Sequence, residues 1–280
     1  MKCLIVIPAR YQSTRFPGKP LAPIGGVPLL ERVVRIAGIA ASQTGAGFVV
    51  AADDERVAEL ARAIGAPVVM TPPKLASGSD RALAAAQAHA PDADFIVNLQ
   101  GDLPFTPPSY VAGLIEAARA SGTGDGAPQV FTPVVQLSWE ALDGLRARKQ
   151  ITPFSGTTCI VGQGGRAHWF SKNILPALRD EAGLRAAGPL APVFRHIGLY
   201  GYRAEALRFF VAAPVGHYEQ LEGLEQLRFL EAGVPIQTVA VKPARIAMWG
   251  IDTPQDAALA EQHLARAGDP LQHGLYDGEG

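Results

Sequence analysis

KCLIVIPARYQSTRFPGKPL, residues 2–21, decides the fold. Its Leu4-Ile5-Val6-Ile7 run is short, β-branched and uncharged, as in a strand buried on both faces of a parallel sheet. Pro8 has no N–H to donate and stops the ladder. The chain then turns polar and basic, with Arg10, Arg15 and Lys19, and with Gly18 just before the lysine. Open α/β sheets place their ligands in loops that leave the carboxyl ends of buried strands. Three cations and a glycine in such a loop suggest a polyphosphate site; a solvated basic loop is the plainer alternative.

Two familiar phosphate loops do not fit. A Walker A loop needs a glycine where Ser13 stands and Ser or Thr where Pro20 stands. A dinucleotide fingerprint needs three spaced glycines directly after the strand, and this loop has Gly18 alone.

Working outward, apolar and turn signals alternate. A helix is expected over residues 28–41, a buried strand over 48–52, and a helix over 55–64 closed by Gly65. A short strand over 68–70 precedes Ser77-Gly78-Ser79-Asp80-Arg81 and an alanine-rich helix over 82–90. Residues 95–99 read as the next buried strand, followed by Gln100-Gly101-Asp102-Leu103-Pro104. A helix over 108–121, a loop over 122–127 and a strand over 129–135 come next. This alternation predicts an α/β fold with a mostly parallel, Rossmann-like sheet. From about 138 to 203 the pattern changes to an inserted antiparallel ribbon. Strands over 157–161 and 167–171 flank the hairpin signal Gly162-Gln163-Gly164-Gly165. Residues 183–192 read as a mobile loop. A helix is expected over 218–232 with Leu221, Leu224, Leu227 and Leu230 buried, then a strand over 236–241 and a helix over 255–267. Residues 1–268 thus form one domain, and 269–280, without a packing pattern, a disordered tail.

The bulk numbers exclude several classes. The 280 residues are 48% apolar and 18% charged, with a formal net charge of −1. Nucleic-acid binding normally leaves a basic excess, so no such partner is expected. The two cysteines, Cys3 and Cys159, suggest no disulfide framework. No apolar run is long enough to cross a bilayer, and Pro8, Arg10 and Arg15 interrupt the first apolar segment too early for a signal peptide. A soluble cytoplasmic protein without membrane insertion is expected.

The pattern PAR-x-x-S-x-R-x-PGK-x-L is complete here at Pro8, Ala9, Arg10, Ser13, Arg15, Pro17, Gly18, Lys19 and Leu21. It resembles the N-terminal signature of enzymes that activate acidic sugars with CTP, above all the 3-deoxy-manno-octulosonate cytidylyltransferase (CMP-Kdo synthetase) family. Further segments are similar to that family's. SGSDR at 77–81 stands for SGTDR, and GDLP at 101–104 for GDEP. RHIGLYGYR at 195–203 stands for RHIGIYGYR, and GIDTP at 250–254 for GVDTP. The E-x-x-E-x-LEQLR run at 219–228 resembles a sugar-acid recognition helix. The chain departs from the family at Leu103, at Thr158 where lysine is usual, at Lys172 where arginine is usual, and near Leu75, where a histidine is absent.

The resemblance implies nucleotide contacts at Pro8, Ala9, Arg10, Arg15, Lys19, Asp53, Ser77, Gly78, Arg81 and Gln100. It implies catalytic roles for Arg10, Arg15, Lys19 and Asp102, and sugar-acid contacts at His196, Tyr200, Glu222 and Gln226. Asp102 and Asp252 would hold Mg²⁺, which prefers one or two carboxylates plus phosphate oxygens. Plainer readings stand beside these: helix caps for Asp53, Ser79-Asp80 and Asp252, a core position for His196, and a solvated face for Glu222 and Gln226. The implied reaction moves CMP from CTP to the anomeric hydroxyl of Kdo and releases pyrophosphate, for lipopolysaccharide or capsule synthesis, in a homodimer paired through the ribbon. The alternatives are a cytidylyltransferase for another acidic sugar, such as an amino-substituted octulosonate, or a catalytically silent nucleotide-binding homologue.

Overall fold

β1 (Cys3–Ala9) is buried at every position in the computed structural model, which describes residues 1–124, 126–246, 250–273 and 276, the side chains of 272 and 273 excepted. The basic loop follows and ends in a 3₁₀ turn, Lys19–Leu21, entered through Gly18 at φ 72°, a conformation glycine adopts without steric cost. Next come a small hairpin, β2 (Pro23–Ile24) and β3 (Val27–Pro28), then α1 (Leu29–Thr44), β4 (Gly47–Ala52), α2 (Glu55–Ala63) and β5 (Val68–Met70). α3 (Gly78–His89), β6 (Phe95–Asn98) and α4 (Pro108–Ala120) complete the first half. β7 (Val130–Ser138), α5 (Trp139–Ile151), β8 (Thr158–Val161), β9 (Ala167–Ser171), α6 (Glu181–Ala187) and β10 (Leu190–His196) follow. The rest is β11 (Tyr200–Arg203), α7 (Ala204–Ala212), α8 (His217–Glu222), α9 (Leu227–Glu231), β12 (Ile236–Ala240), α10 (Pro254–Ala267) and α11 (Pro270–His273).

The chain forms two units, one from residues 1–120, 199–211 and 242–280, the other from 121–198 and 212–241. In the first unit the strand order is β5-β4-β1-β6-β11. The first four strands are parallel and β11 runs antiparallel beside β6. Val6 lies between Val49 and Asn98 in the register, and Ile5, Val6 and Ile7 are wholly buried. Each such side chain contributes roughly 1.5–3 kcal/mol by leaving water. Because β1, β4 and β6 are parallel, their carboxyl ends share one edge, which gathers the loops that carry Arg10, Asp53 and Asp102. A second cluster joins Ile24, Leu29, Phe105, Ile251 and Leu264, packing the hairpin and α1 against α10. The disordered tail expected from residue 269 is corrected where it is described. Asp269 is 9% exposed and pairs with Arg32, α11 follows, and the Tyr276 carbonyl accepts from Arg245 N at 3.0 Å. Residues 274, 275 and 277–280 lie outside the described residues.

In the second unit the order is β12-β7-β10-β8-β9, with β12 parallel to β7 and the other pairs antiparallel. The β8–β9 hairpin forms at the expected Gly-rich turn. Residues 183–192, expected as a mobile loop, instead carry the end of α6 and the start of β10. Asp180 caps α6 by accepting from Gly183 N at 3.0 Å. The sequence reading also passed over α5, whose Trp139 and Leu142 pack on Ala191 and Val193. The helix expected over 218–232 is two short helices. Gly223 takes a left-handed φ of 61° between them and leaves Leu221 69% exposed, while Leu224 and Leu227 are buried as expected.

Candidate active site

At the strand edge of the first unit lies a cleft of about 290 Å³, lined by residues 8–10, 12–15, 19–20, 78, 81, 100–102 and 252. The Lys19 ammonium donates to Asp102 Oδ2 at 2.9 Å and to Asp252 Oδ1 at 3.2 Å. An Arg15 guanidinium nitrogen sits 3.1 Å from Asp252 Oδ2. Lys19 is 14% exposed, so water replaces its contacts poorly, whereas Arg15 is 64% exposed. Arg10 is exposed on the same cleft.

Local geometry explains the convergence. A Cβ at Gly101 would lie 2.4 Å from the Pro8 carbonyl oxygen, so only glycine lets the loop after β6 lie on the end of β1. Asp102 follows directly. Its carbonyl accepts from Ile251 N at 3.0 Å, which brings in the segment carrying Asp252. Asp252 is not the cap of α10. Thr253 caps it in a reciprocal box with Asp256, and Asp252 donates its own N–H to Asp256 Oδ2 at 3.0 Å. The Asp252 carboxylate is thereby left to face Lys19 and Arg15.

Asp53 is likewise relieved of capping, because Asp54 accepts from Arg56 N at 3.0 Å. Asp53 instead accepts from Tyr11 N at 2.9 Å and lies 3.5 Å from the Arg81 guanidinium. Arg81 is wholly buried, donates to Thr71 Oγ1, and keeps Nε without a hydrogen-bond partner while lining the cleft. Burial pulls its pKa down, against the pull of Asp53. Ser77 caps α3 with Asp80 in a reciprocal box. At Gly78 a Cβ would stand 3.0 Å from Gln100 Oε1, so the glycine admits that side chain. Sequence reasoning missed Tyr11 and Arg56. The Arg56 guanidinium lies 3.4 Å from the Tyr11 ring centre and props the basic loop against α2. No local sequence pattern signals that contact.

The residues implied for the sugar acid are placed as follows. His196 is buried and edge-on to Phe170, with Nε2 2.8 Å from Thr132 Oγ1. Burial pushes its pKa down to about 3, so the ring is neutral at physiological pH. Glu222 accepts from the Ser171 hydroxyl at 2.7 Å and from Lys172 N at 2.8 Å, bracing β9 rather than facing solvent. Gln226 is 3% exposed, and its Nε2 has no hydrogen-bond partner. These three lie in the second unit. Tyr200, in the first, is half-buried and stacked on Tyr202. Of the departures, Thr158 is buried, with its hydroxyl on the Asn173 carbonyl at 2.6 Å.

The cleft also bears on a metal. No group of three or more His, Cys, Asp or Glu side chains that could hold a metal ion occurs among the described residues. Two carboxylates already hold a cation, the Lys19 ammonium, between them. Two acids that converge on one cation suit Mg²⁺, which completes its shell with water and phosphate oxygens.

A family model described as cytidylyltransferase matches residues 4–238. The chain belongs to the cytidylyltransferase family. Among other cytidylyltransferases, it is 42% identical over 271 residues to the 3-deoxy-manno-octulosonate cytidylyltransferase of Maricaulis maris, covering 96% of this chain and 99% of that one. It is 35% identical over 266 residues to the 8-amino-3,8-dideoxy-manno-octulosonate cytidylyltransferase of Shewanella putrefaciens, covering 95% and 99%. A solved CMP:2-keto-3-deoxy-manno-octonic acid synthetase complexed with CTP superposes with a TM-score of 0.77 at 32% identity, over 95% of this chain and 99% of that one. No helix among the described residues is long and apolar enough to cross a membrane.

Proposed function

We propose that this cytidylyltransferase moves CMP from CTP to the anomeric hydroxyl of 3-deoxy-manno-octulosonate, with release of pyrophosphate. The observation that carries the reading is Lys19 held between Asp102 and Asp252 beside the basic loop. The sugar oxygen bonds to the α-phosphorus as the bond from that phosphorus to the β-phosphate bridging oxygen breaks. The sugar's hydroxyl proton leaves to water or a nearby carboxylate. No covalent intermediate on the protein is needed.

The physical difficulty is that an anionic sugar must approach an anionic triphosphate. Lys19, Arg15 and Arg10 supply fixed positive charge where the pyrophosphate gains negative charge. Gly78 admits the Gln100 side chain, Gly101 lets the loop carrying Asp102 lie on Pro8, and Arg81 offers a buried donor on the same cleft. Asp102 and Asp252 would hold Mg²⁺, which when bound neutralises phosphate oxygens and acidifies an oxygen it binds.

The test is pyrophosphate release from CTP with a panel of sugar acids, with and without chelator, and mass spectrometry of the product. Kdo as the best acceptor, with turnover lost to chelation and restored by Mg²⁺, is the expected result. Preference for the 8-amino sugar would favour the second reading, which the Shewanella relatives motivate. CTP binding without pyrophosphate release from any sugar acid would leave a silent nucleotide binder. The proposal extends to a homodimer in the cytoplasm. The antiparallel β8–β9 hairpin at the end of its sheet supports the first, and the free thiols of Cys3 and Cys159 support the second. Sedimentation analysis gives the subunit count.

A further inference from the structure

We infer that the buried pair Arg32–Asp269, remote from the cleft, is a positioning clasp that sets Asp252 against Lys19. The inference rests on the proposed function for its chemistry, but its geometry stands alone. Two chain segments must meet to make the site. One runs from Lys19 through its 3₁₀ turn into the β2–β3 hairpin. The other runs from Asp252 into α10 and ends, past Gly268, at Asp269.

The Arg32 guanidinium bonds to both segments. Its Nε donates to the Ile24 carbonyl at 2.6 Å. Its Nη1 and Nη2 donate to the two Asp269 oxygens at 2.9 and 2.7 Å. A second strap lies alongside, where Gly25 N donates to Glu261 Oε1 at 2.6 Å. The joint is tight: a Cβ at Gly25 would stand 2.5 Å from Arg32 Nη2 and 2.8 Å from Leu264 Cδ1. Leu29 N also donates to the Ala22 carbonyl at 2.9 Å, tying α1 to the end of the Lys19 turn.

The type of interaction points to positioning. Arg32 is 1% and Asp269 9% exposed. A pair buried this deeply adds little net stability over an apolar pair of the same shape, because desolvation cancels much of the attraction. What a two-pronged guanidinium–carboxylate contact adds is orientation. A group at a helix surface sits about 5 Å from the axis. Asp252 lies just before α10 and is tied to its first turn by its N–H on Asp256 Oδ2, so each 10° rotation of the helix would carry a carboxylate at that radius by roughly 1 Å. The Asp252–Lys19 contact is 3.2 Å long and tolerates only part of such a shift.

The test uses Asp269→Asn and Arg32→Lys, which keep side-chain size but lose the two-pronged contact, and Arg32→Met with Asp269→Leu, which refills the core without charge. Glu261→Ala, on the exposed strap, reports on the same joint if the buried variants do not fold. Folding is followed by circular dichroism and thermal melting. Mn²⁺ affinity is measured by electron paramagnetic resonance with CTP and no sugar. Turnover is titrated with Mg²⁺. The expected result for each folded variant of the buried pair is about tenfold weaker Mn²⁺ binding and a tenfold higher Mg²⁺ half-saturation, with the KM for sugar acid within twofold of wild type. Glu261→Ala shifts both in the same direction by a smaller factor. Folded variants that bind Mn²⁺ like wild type would overturn the clasp. So would a loss of kcat that merely tracks the unfolded fraction. Failure of the wild type to turn over any sugar acid would remove the proposed function instead, and the Mn²⁺ measurement would still judge the clasp.

Discussion

Lys19→Ala removes the ammonium that bridges Asp102 and Asp252. In the folded protein the lysine is 14% exposed, while Asp102 and Asp252 are 28% and 42% exposed. Water therefore recovers part of what each acid loses, and Asp252 keeps Arg15. Water does not recover the fixed donor for charge that grows on the departing pyrophosphate. Removing one such preorganised donor typically raises a barrier by about 2.7–4 kcal/mol, or 10²–10³ in kcat. The low exposure of Lys19 puts the expected loss within that range rather than near the fraction of a kcal/mol of a surface contact. The assay is steady-state pyrophosphate release at saturating CTP, sugar acid and Mg²⁺, with CTP affinity measured separately by calorimetry. The expected result is a kcat lower by 10²–10³ while CTP still binds. Turnover within threefold of wild type would take Lys19 out of the reaction and with it the reading of the cleft.

Gly101→Ala must displace the Asp102 loop, because its Cβ would meet the Pro8 oxygen at 2.4 Å; we expect a lower melting temperature and at least a tenfold loss of turnover, and wild-type values for both would contradict the close approach. His196 titrates near 3 in the fold and near 6.5 when unfolded. Between those values the unfolded chain binds more protons, so the stability that depends on a neutral ring is fully present above pH 6.5 and is lost as pH falls toward 3, by at most about 1.4 kcal/mol per pH unit. Urea midpoints measured from pH 7 to 4 should fall less steeply in His196→Gln, and parallel slopes would refute a buried neutral ring. Glu222→Gln turns an acceptor facing Ser171 and Lys172 N into a partial donor, and should cost about 1–3 kcal/mol in urea unfolding; no change would return Glu222 to the solvated face.

Most of the first unit was legible because its signals are local. A strand buried at every position reads as an unbroken apolar run, and parallel strands force the loops after Ala9, Ala52 and Asn98 to one edge. Asp102 and Asp252 could be singled out by resemblance, but their meeting depends on Gly101 and on the Ile251–Asp102 backbone bond, which no spacing rule contains. Choosing between cap and site at Asp53 and Asp252 needed coordinates, because adjacent Asp54 and Thr253 are equally good caps. The tail was misread because the partner of Asp269 is Arg32, at the other end of the chain. The 218–232 region was misread because leucine spacing suits one continuous helix, and Gly223 breaks it by turning left-handed. α5 went unread because only Trp139 and Leu142 on it are buried, too few for a clear apolar stripe.

The division of labour between Thr253 and Asp252 has a practical outcome. Since Thr253 and Asp256 start α10 between them, swapping the neighbouring aspartate, Asp252, for asparagine should disarm the protein without loosening it. Such a variant would be a means of trapping both reactants side by side for crystallography.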